Sequence, residues 1–187
     1  KRGQWVDSSG TKWKSNPKES QDESKEFIEL WRSMMSANKK KKASSRGCVV
    51  RGKQEGRWVN LQAGLPRSVF HFKAGQLHGP IWTLSDQGRV IESGYFAEGK
   101  RVGIFRTWAP GGQLLEITHY RDDQRHGPYF KWGKDCLMTA RGRHYQDQRH
   151  GPWETWNPQT GARASRGAYL KGAKLGTWSF YHPEGNK

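Results

Sequence analysis

Asp123-Gln124-Arg125-His126-Gly127-Pro128 returns letter for letter as Asp147-Gln148-Arg149-His150-Gly151-Pro152, and its last three residues occur once more at His78-Gly79-Pro80. A copy of this length at a short interval marks a tandem repeat. With the glycine as phase mark, the series runs Gly56, Gly79, Gly103, Gly127, Gly151 and Gly176, in steps of 23, 24, 24, 24 and 25 residues. Two positions after each mark stand Trp58, Ile81, Phe105, Tyr129, Trp153 and Trp178. Five positions after it stand Leu61, Leu84, Trp108, Trp132, Trp156 and Tyr181. Four before it are Gly52, Gly75, Gly99, Asp123, Asp147 and Gly172, and three earlier again Phe72, Phe96, Tyr120, His144 and Tyr169.

Each unit also carries a turn signal near its middle, at Gly64, Gly88, Gly112, Gly161 and Gly185. A unit of this length with two turn signals is a β-hairpin. One turn is expected at the middle glycine and the other over the G-x-x-H-G segment. On that reading Gly79, Gly103, Asp123, His126, Gly127, Asp147, His150, Gly151 and Gly176 are structural turn residues. Glycine or aspartate four positions before the mark suits positive φ or a side-chain-capped turn. Pro80, Pro128 and Pro152 fall where a strand begins, a place that tolerates proline. The fold class expected is all-β: about six hairpins stacked side by side into one elongated, single-layer antiparallel sheet, with aromatic residues bracing neighbouring units.

Composition agrees. The chain of 187 residues is only 33% hydrophobic with glycine left out, which is little for a thick core throughout. Its 10 Trp and 23 Gly fit thin, turn-rich β structure better than disorder, which is poor in aromatics.

The first 46 residues read differently. Asn16-Pro17 is a helix start, and Glu19, Asp22, Glu23 and Glu26 load the early turns with the charge that a helix dipole favours. Phe27, Trp31, Met34 and Met35 form one apolar stripe, so an amphipathic helix is expected over about 18–37. The stripe either caps an open sheet edge or docks a partner. Lys39, Lys40, Lys41 and Lys42 open a basic linker over 39–46. The domains expected are therefore a polar extension over 1–46 and a repeat domain over 47–187.

The formal net charge is +16, with 12 Lys/Arg against 6 Asp/Glu in residues 1–46 and 21 against 11 in the remainder. The excess belongs to both parts and favours anionic partners. Candidate electrostatic contacts are the four lysines together with Arg101, Arg106, Arg121, Arg125, Arg141, Arg143 and Arg149. No apolar run is long enough to cross a membrane. About three hairpins separate Cys48 from Cys136, roughly 30 Å at the strand spacing, so two free thiols and a reducing compartment are expected.

The repeated histidines are too far apart to act together as one chemical site. His126 and His150 occupy the same position in adjacent units, ~10 Å apart, whereas two ligands of one zinc ion lie within about 4 Å of each other. No Ser or Cys recurs beside them as a nucleophile. Glu92, Glu98, Glu116 and Glu154 form no paired geometry, and no phosphate-cradling loop is present. No enzyme activity, metal, cofactor or small-molecule substrate is expected.

The pattern [YF]-x-x-G-x-x-x-G-x-W-x-x-[WY], clearest at Tyr169-Leu170-Lys171-Gly172-Ala173-Lys174-Leu175-Gly176-Thr177-Trp178-Ser179-Phe180-Tyr181, resembles the MORN repeat in its bacterial-type variant form. The resemblance covers about residues 50–187. Asp123, Asp147 and His144 depart from it. It implies an extended sheet of hairpins and a scaffolding, protein-binding or membrane-associated role. The function expected is a non-enzymatic scaffold, an accessory or assembly subunit of a larger complex that contacts acidic protein or anionic surfaces, an anionic membrane among them. The alternatives are an RNA- or ribosome-associated protein, suggested by basic residues interleaved with rings, and an antitoxin- or immunity-like protein that binds a toxin.

Overall fold

A computed structural model describes residues 44–182, which belong to one compact unit, Lys39–Lys187. The expected helix over 18–37, its stripe Phe27, Trp31, Met34 and Met35, and Lys39 to Lys42 lie outside the described residues.

The described chain is all-β, a single antiparallel sheet of 14 strands. In chain order the strands are β1 Ser44–Val50, β2 Lys53–Gln62, β3 Leu65–Lys73, β4 Gln76–Leu77, β5 Gly79–Leu84, β6 Val90–Ala97, β7 Lys100–Trp108, β8 Leu114–Arg121, β9 Gln124–Trp132, β10 Met138–Tyr145, β11 Gln148–Arg149, β12 Gly151–Trp156, β13 Arg163–Leu170 and β14 Ala173–Phe180. The strands pair in chain order, except that the short β4 and β11 are offshoots on β3 and β10, so that β3 pairs with β5 and β10 with β12. Among the described residues pairing runs from Ser44, so Ser44, Ser45 and Arg46, expected as linker, are strand residues. Their partners are Leu61, Asn60 and Val59.

The repeated six-residue segment does two jobs. The turn occupies only its first residue and the one before. Asp122 and Asp123 have φ of 50° and 67°, and Gln146 and Asp147 have 48° and 63°. Positive φ at both central residues is the two-residue hairpin turn whose twist matches the strands. Glu98-Gly99 and Lys171-Gly172 repeat it. The histidine and glycine, expected within the turn, instead form a bulge in the returning strand. From Thr118↔Tyr129 to Tyr120↔Arg125, β8 advances two residues while β9 advances four. The same excess recurs between β6 and β7, and between β13 and β14. All six mark glycines have positive φ, from 63° to 123°, so the conserved spacing marks a bulge, which re-aims the strand.

Successive units are stapled at the turns. The N–H groups of Gly75, Gly99, Asp123, Asp147 and Gly172 donate to the carbonyls of Gln54, Leu77, Arg101, Arg125 and Arg149 at 2.7–3.1 Å. At Asp123 and Asp147 the side chain joins in: Oδ1 accepts the backbone N–H of Arg101 or Arg125, at 3.0 Å in each case.

One face carries the rings two positions after the mark. Opposite four of them stands a glycine: Gly47 at Trp58, Gly94 at Phe105, Gly142 at Trp153 and Gly167 at Trp178. A Cβ on these glycines would come within 2.1–2.3 Å of ring atoms. The ring lies over the bare backbone, which fills space that glycine leaves empty. Column contacts follow, with Phe105–Tyr120 at 5.0 Å, Tyr129–His144 at 5.1 Å and Tyr169–Trp178 at 4.9 Å between centroids. Phe105 and Trp153 are buried by this packing within a single layer.

Candidate anion-binding face

The opposite face is reached through strand register. Arg106 pairs with Ile117, Ile117 with Phe130, Phe130 with Arg141, Arg141 with Glu154 and Glu154 with Arg166. Directly opposed residues share a face, so these six form one row across the sheet. Ile104 pairs with His119, and Pro128 with Arg143. These lie two residues along the same strands and so stand on the same face in the adjoining row.

The arginines proposed from sequence divide into two groups. Arg101 and Arg125 are tied to Asp123 and Asp147 by ion pairs of 3.2 Å, and Arg101 also lies 4.3 Å over the Tyr120 ring. The N–H groups and guanidinium that contact Asp123 and Asp147 hold both carboxyls below their ordinary range, the backbone hydrogen bond contributing most. Arg149 donates to the Tyr169 hydroxyl at 3.0 Å and covers the Trp153 ring at 4.7 Å. Arg141 donates to Glu154. Arg106, Arg121 and Arg143 form no ion pair with any described carboxylate.

Glu154 is the centre of charge that sequence reading missed. It is buried and meets three arginines, Arg141 by hydrogen bond and both Arg163 and Arg166 at 3.6 Å. Its isolation in the sequence concealed it. The signal lay in register, since Arg141 and Arg166 are its partners on either side. With Glu154 so occupied, no carboxylate among the described residues forms an ion pair with Arg106 or Arg143.

Those two arginines act on the histidines nearby. The His119 Nδ1 lies 2.8 Å from the Pro128 carbonyl. A carbonyl only accepts, so Nδ1 carries the proton and the ring presents Nε2 as its acceptor. Burial lowers the His119 pKa, the Pro128 bond opposes this, and the charges of Arg106 and Arg143 lower it further. His126 is likewise lowered, by burial and then by Arg121 and Arg143. His126 and His150 flank the exposed Tyr145, with ring centroids at 5.0 and 5.7 Å. Among the described residues no group of three or more His, Cys, Asp or Glu is placed to hold a metal ion.

On the ring face, His144 is buried between Tyr129 and Trp153. Burial, then Arg125 and Arg149, pull its pKa down to about 4. Tyr129 donates to Glu116 at 3.2 Å, and burial followed by that carboxylate raises its pKa to about 12. A shallow open depression of about 240 Å³ is lined by Gln54, Trp58, Asn60, Phe70, Phe72 and Leu77. Cys48 and Cys136 are free and exposed. Among the described residues no helix is long and apolar enough to cross a membrane, which says nothing of spanning by strands.

No protein-family model matches the chain, and no curated protein matches it. Among solved structures it is similar to a chain of the crystal structure of a GtfA/B complex bound to UDP and GlcNAc, with a TM-score of 0.31 and 11% identity. The match covers 67% of this chain and 24% of that one, so the present chain spans about a quarter of its length. A likeness this distant carries no argument about function.

Proposed function

We propose that the chain is a non-catalytic binding module of the MORN-repeat type, an accessory or assembly subunit that takes an acidic protein segment on its arginine face. One observation carries this reading: Arg106, Arg121 and Arg143 pair with no described carboxylate, while Arg101, Arg125, Arg141, Arg163 and Arg166 are each engaged by one. Unpaired guanidinium groups beside half-buried histidines leave a positive field that an acidic partner would neutralise. The excess of cations over the whole chain, +16, would steer such a partner toward it.

The test is capture of partners from the native source by the full chain, with and without nuclease, over a range of salt. Capture of acidic proteins that survives nuclease and weakens as salt rises supports the reading. Binding that vanishes with nuclease favours RNA instead. Phe130 and Trp132, stacked at 6.1 Å on and beside this face, are the feature that would serve that second reading, since rings among cations suit unpaired bases.

A further inference from the structure

The sheet builds one backbone device twice. In the second unit His71 Nδ1 lies 2.9 Å from the Pro80 carbonyl, and in the fourth His119 Nδ1 lies 2.8 Å from that of Pro128. Both depend on the bulge glycine. Gly79 and Gly127 have φ of 123° and 117°, and a Cβ on either would stand 2.8 or 3.1 Å from the histidine Cβ. The two histidines are thus fixed in the same way.

Their surroundings differ. His71 has Arg57 as register partner and the edge of Trp82 at 6.0 Å, while Tyr95 pairs with Pro80. His119 has the apolar Ile104 as register partner. Arg143 replaces Tyr95 as the partner of the proline, and Arg106 stands where the second unit's neighbourhood has Val59, three positions after the mark. The device that carries one cation at His71 is set between two at His119. The two arginines come from β7 and β10, on opposite sides of the histidine's strand β8 and its partner β9. Glu116 on β8 points to the other face, where Thr118 and Tyr129 hold it at 2.8 and 3.2 Å. Glu154 is held by three other arginines.

We propose that Arg106, His119 and Arg143 form a subsite for a phosphoryl group carried on the acidic segment, an assignment that rests on the function proposed above. A carboxylate presents two oxygens and a single charge. A phosphoryl group presents three oxygens and up to two charges, enough to be shared by two guanidinium groups approaching from different strands. The imidazole stands between them. Its Nδ1–H is committed to Pro128, so it gives a hydrogen bond to the ligand only by taking a proton at Nε2, a change that a phosphoryl charge beside it favours.

The test follows the imidazole signals of His119 and His71 by NMR in the full chain. Inorganic phosphate is titrated at constant pH and ionic strength, with acetate in a parallel series. The expected result is a saturable shift of His119 with phosphate, little with acetate, and none of His71. Arg106→Gln with Arg143→Gln is expected to weaken the response about tenfold, with unchanged His71 signals reporting an intact sheet. An acidic peptide bearing phosphoserine is expected to bind more tightly than its unphosphorylated form.

Equal shifts at both histidines, or an undiminished response in the double variant, would overturn the subsite. RNA displacing the phosphopeptide at equal phosphate concentration would overturn the peptide assignment. Nuclease-resistant capture of acidic proteins without a His119 response would remove the subsite and leave the binding function standing. Failure of capture in the unaltered chain would remove the function itself.

Discussion

Gly142 shows how a single residue holds this sheet together. A Cβ there would meet the Trp153 ring at 2.1 Å, and Trp153 is buried. Gly142→Ala must displace that ring and its neighbours, which is expected to cost about 1–3 kcal/mol in urea unfolding. Gly111→Ala, where nothing lies within 4 Å, is the control and should stay within about 0.5 kcal/mol. His144 makes a second prediction at this scale. It stands where other units have Phe72, Phe96, Tyr120 or Tyr169, and burial lowers its pKa from 6.5 to about 4. The folded protein keeps it neutral in a range where the unfolded chain protonates. Between those two values the unfolded state binds more protons, so stability falls as pH drops from 6.5 toward about 4. His144→Phe should remove that part of the acid-side loss, read as thermal midpoints measured across the window. The rings were legible in the sequence because large residues recur. The glycines opposite them were not, because their role comes from the strand beside them.

Two-residue turns and bulges set the register where the chain passes from β6 to β7, β8 to β9 and β13 to β14. Asp147 serves its element twice, through a left-handed backbone with φ of 63° and through its carboxylate on Arg125. Its half-exposed ion pair contributes little by itself. Asp147→Gly should therefore stay within about 1 kcal/mol of the unaltered chain. Asp147→Ala keeps a Cβ in left-handed backbone but loses the local hydrogen-bonding of aspartate, and should lie about 1 kcal/mol below the glycine variant. Unfolding of the two variants side by side separates backbone from charge. The sequence announced a turn here but blurred it with the bulge. Both features ask for glycine or aspartate at positive φ, and composition does not tell a turn from a bulge a few residues on. Hydrogen-bond pairing does.

At the scale of the whole molecule, the alternation of strands sends residues two apart to one face and puts the rings two positions after each mark on the face opposite Arg106 and Arg143. Arg106→Glu with Arg143→Glu should reduce capture of an acidic partner at least tenfold and flatten its dependence on salt. Arg101→Gln, which removes a guanidinium already paired with Asp123, should change capture little. Pull-downs in a salt series distinguish the two outcomes.

The sequence by itself determined the repeat, the number of hairpins, the antiparallel single sheet and the positions of its rings, because period and turn chemistry are local properties that each unit restates. Only the tertiary structure decided that the D-Q-R-H-G-P segment divides into turn and bulge, and which arginines remain unpaired. A salt bridge such as that of Arg125 with Asp147 joins residues 22 apart, and Glu154 gathers arginines from strands on both sides. Such neighbours are set by register across the sheet, a property that no single stretch of the chain contains.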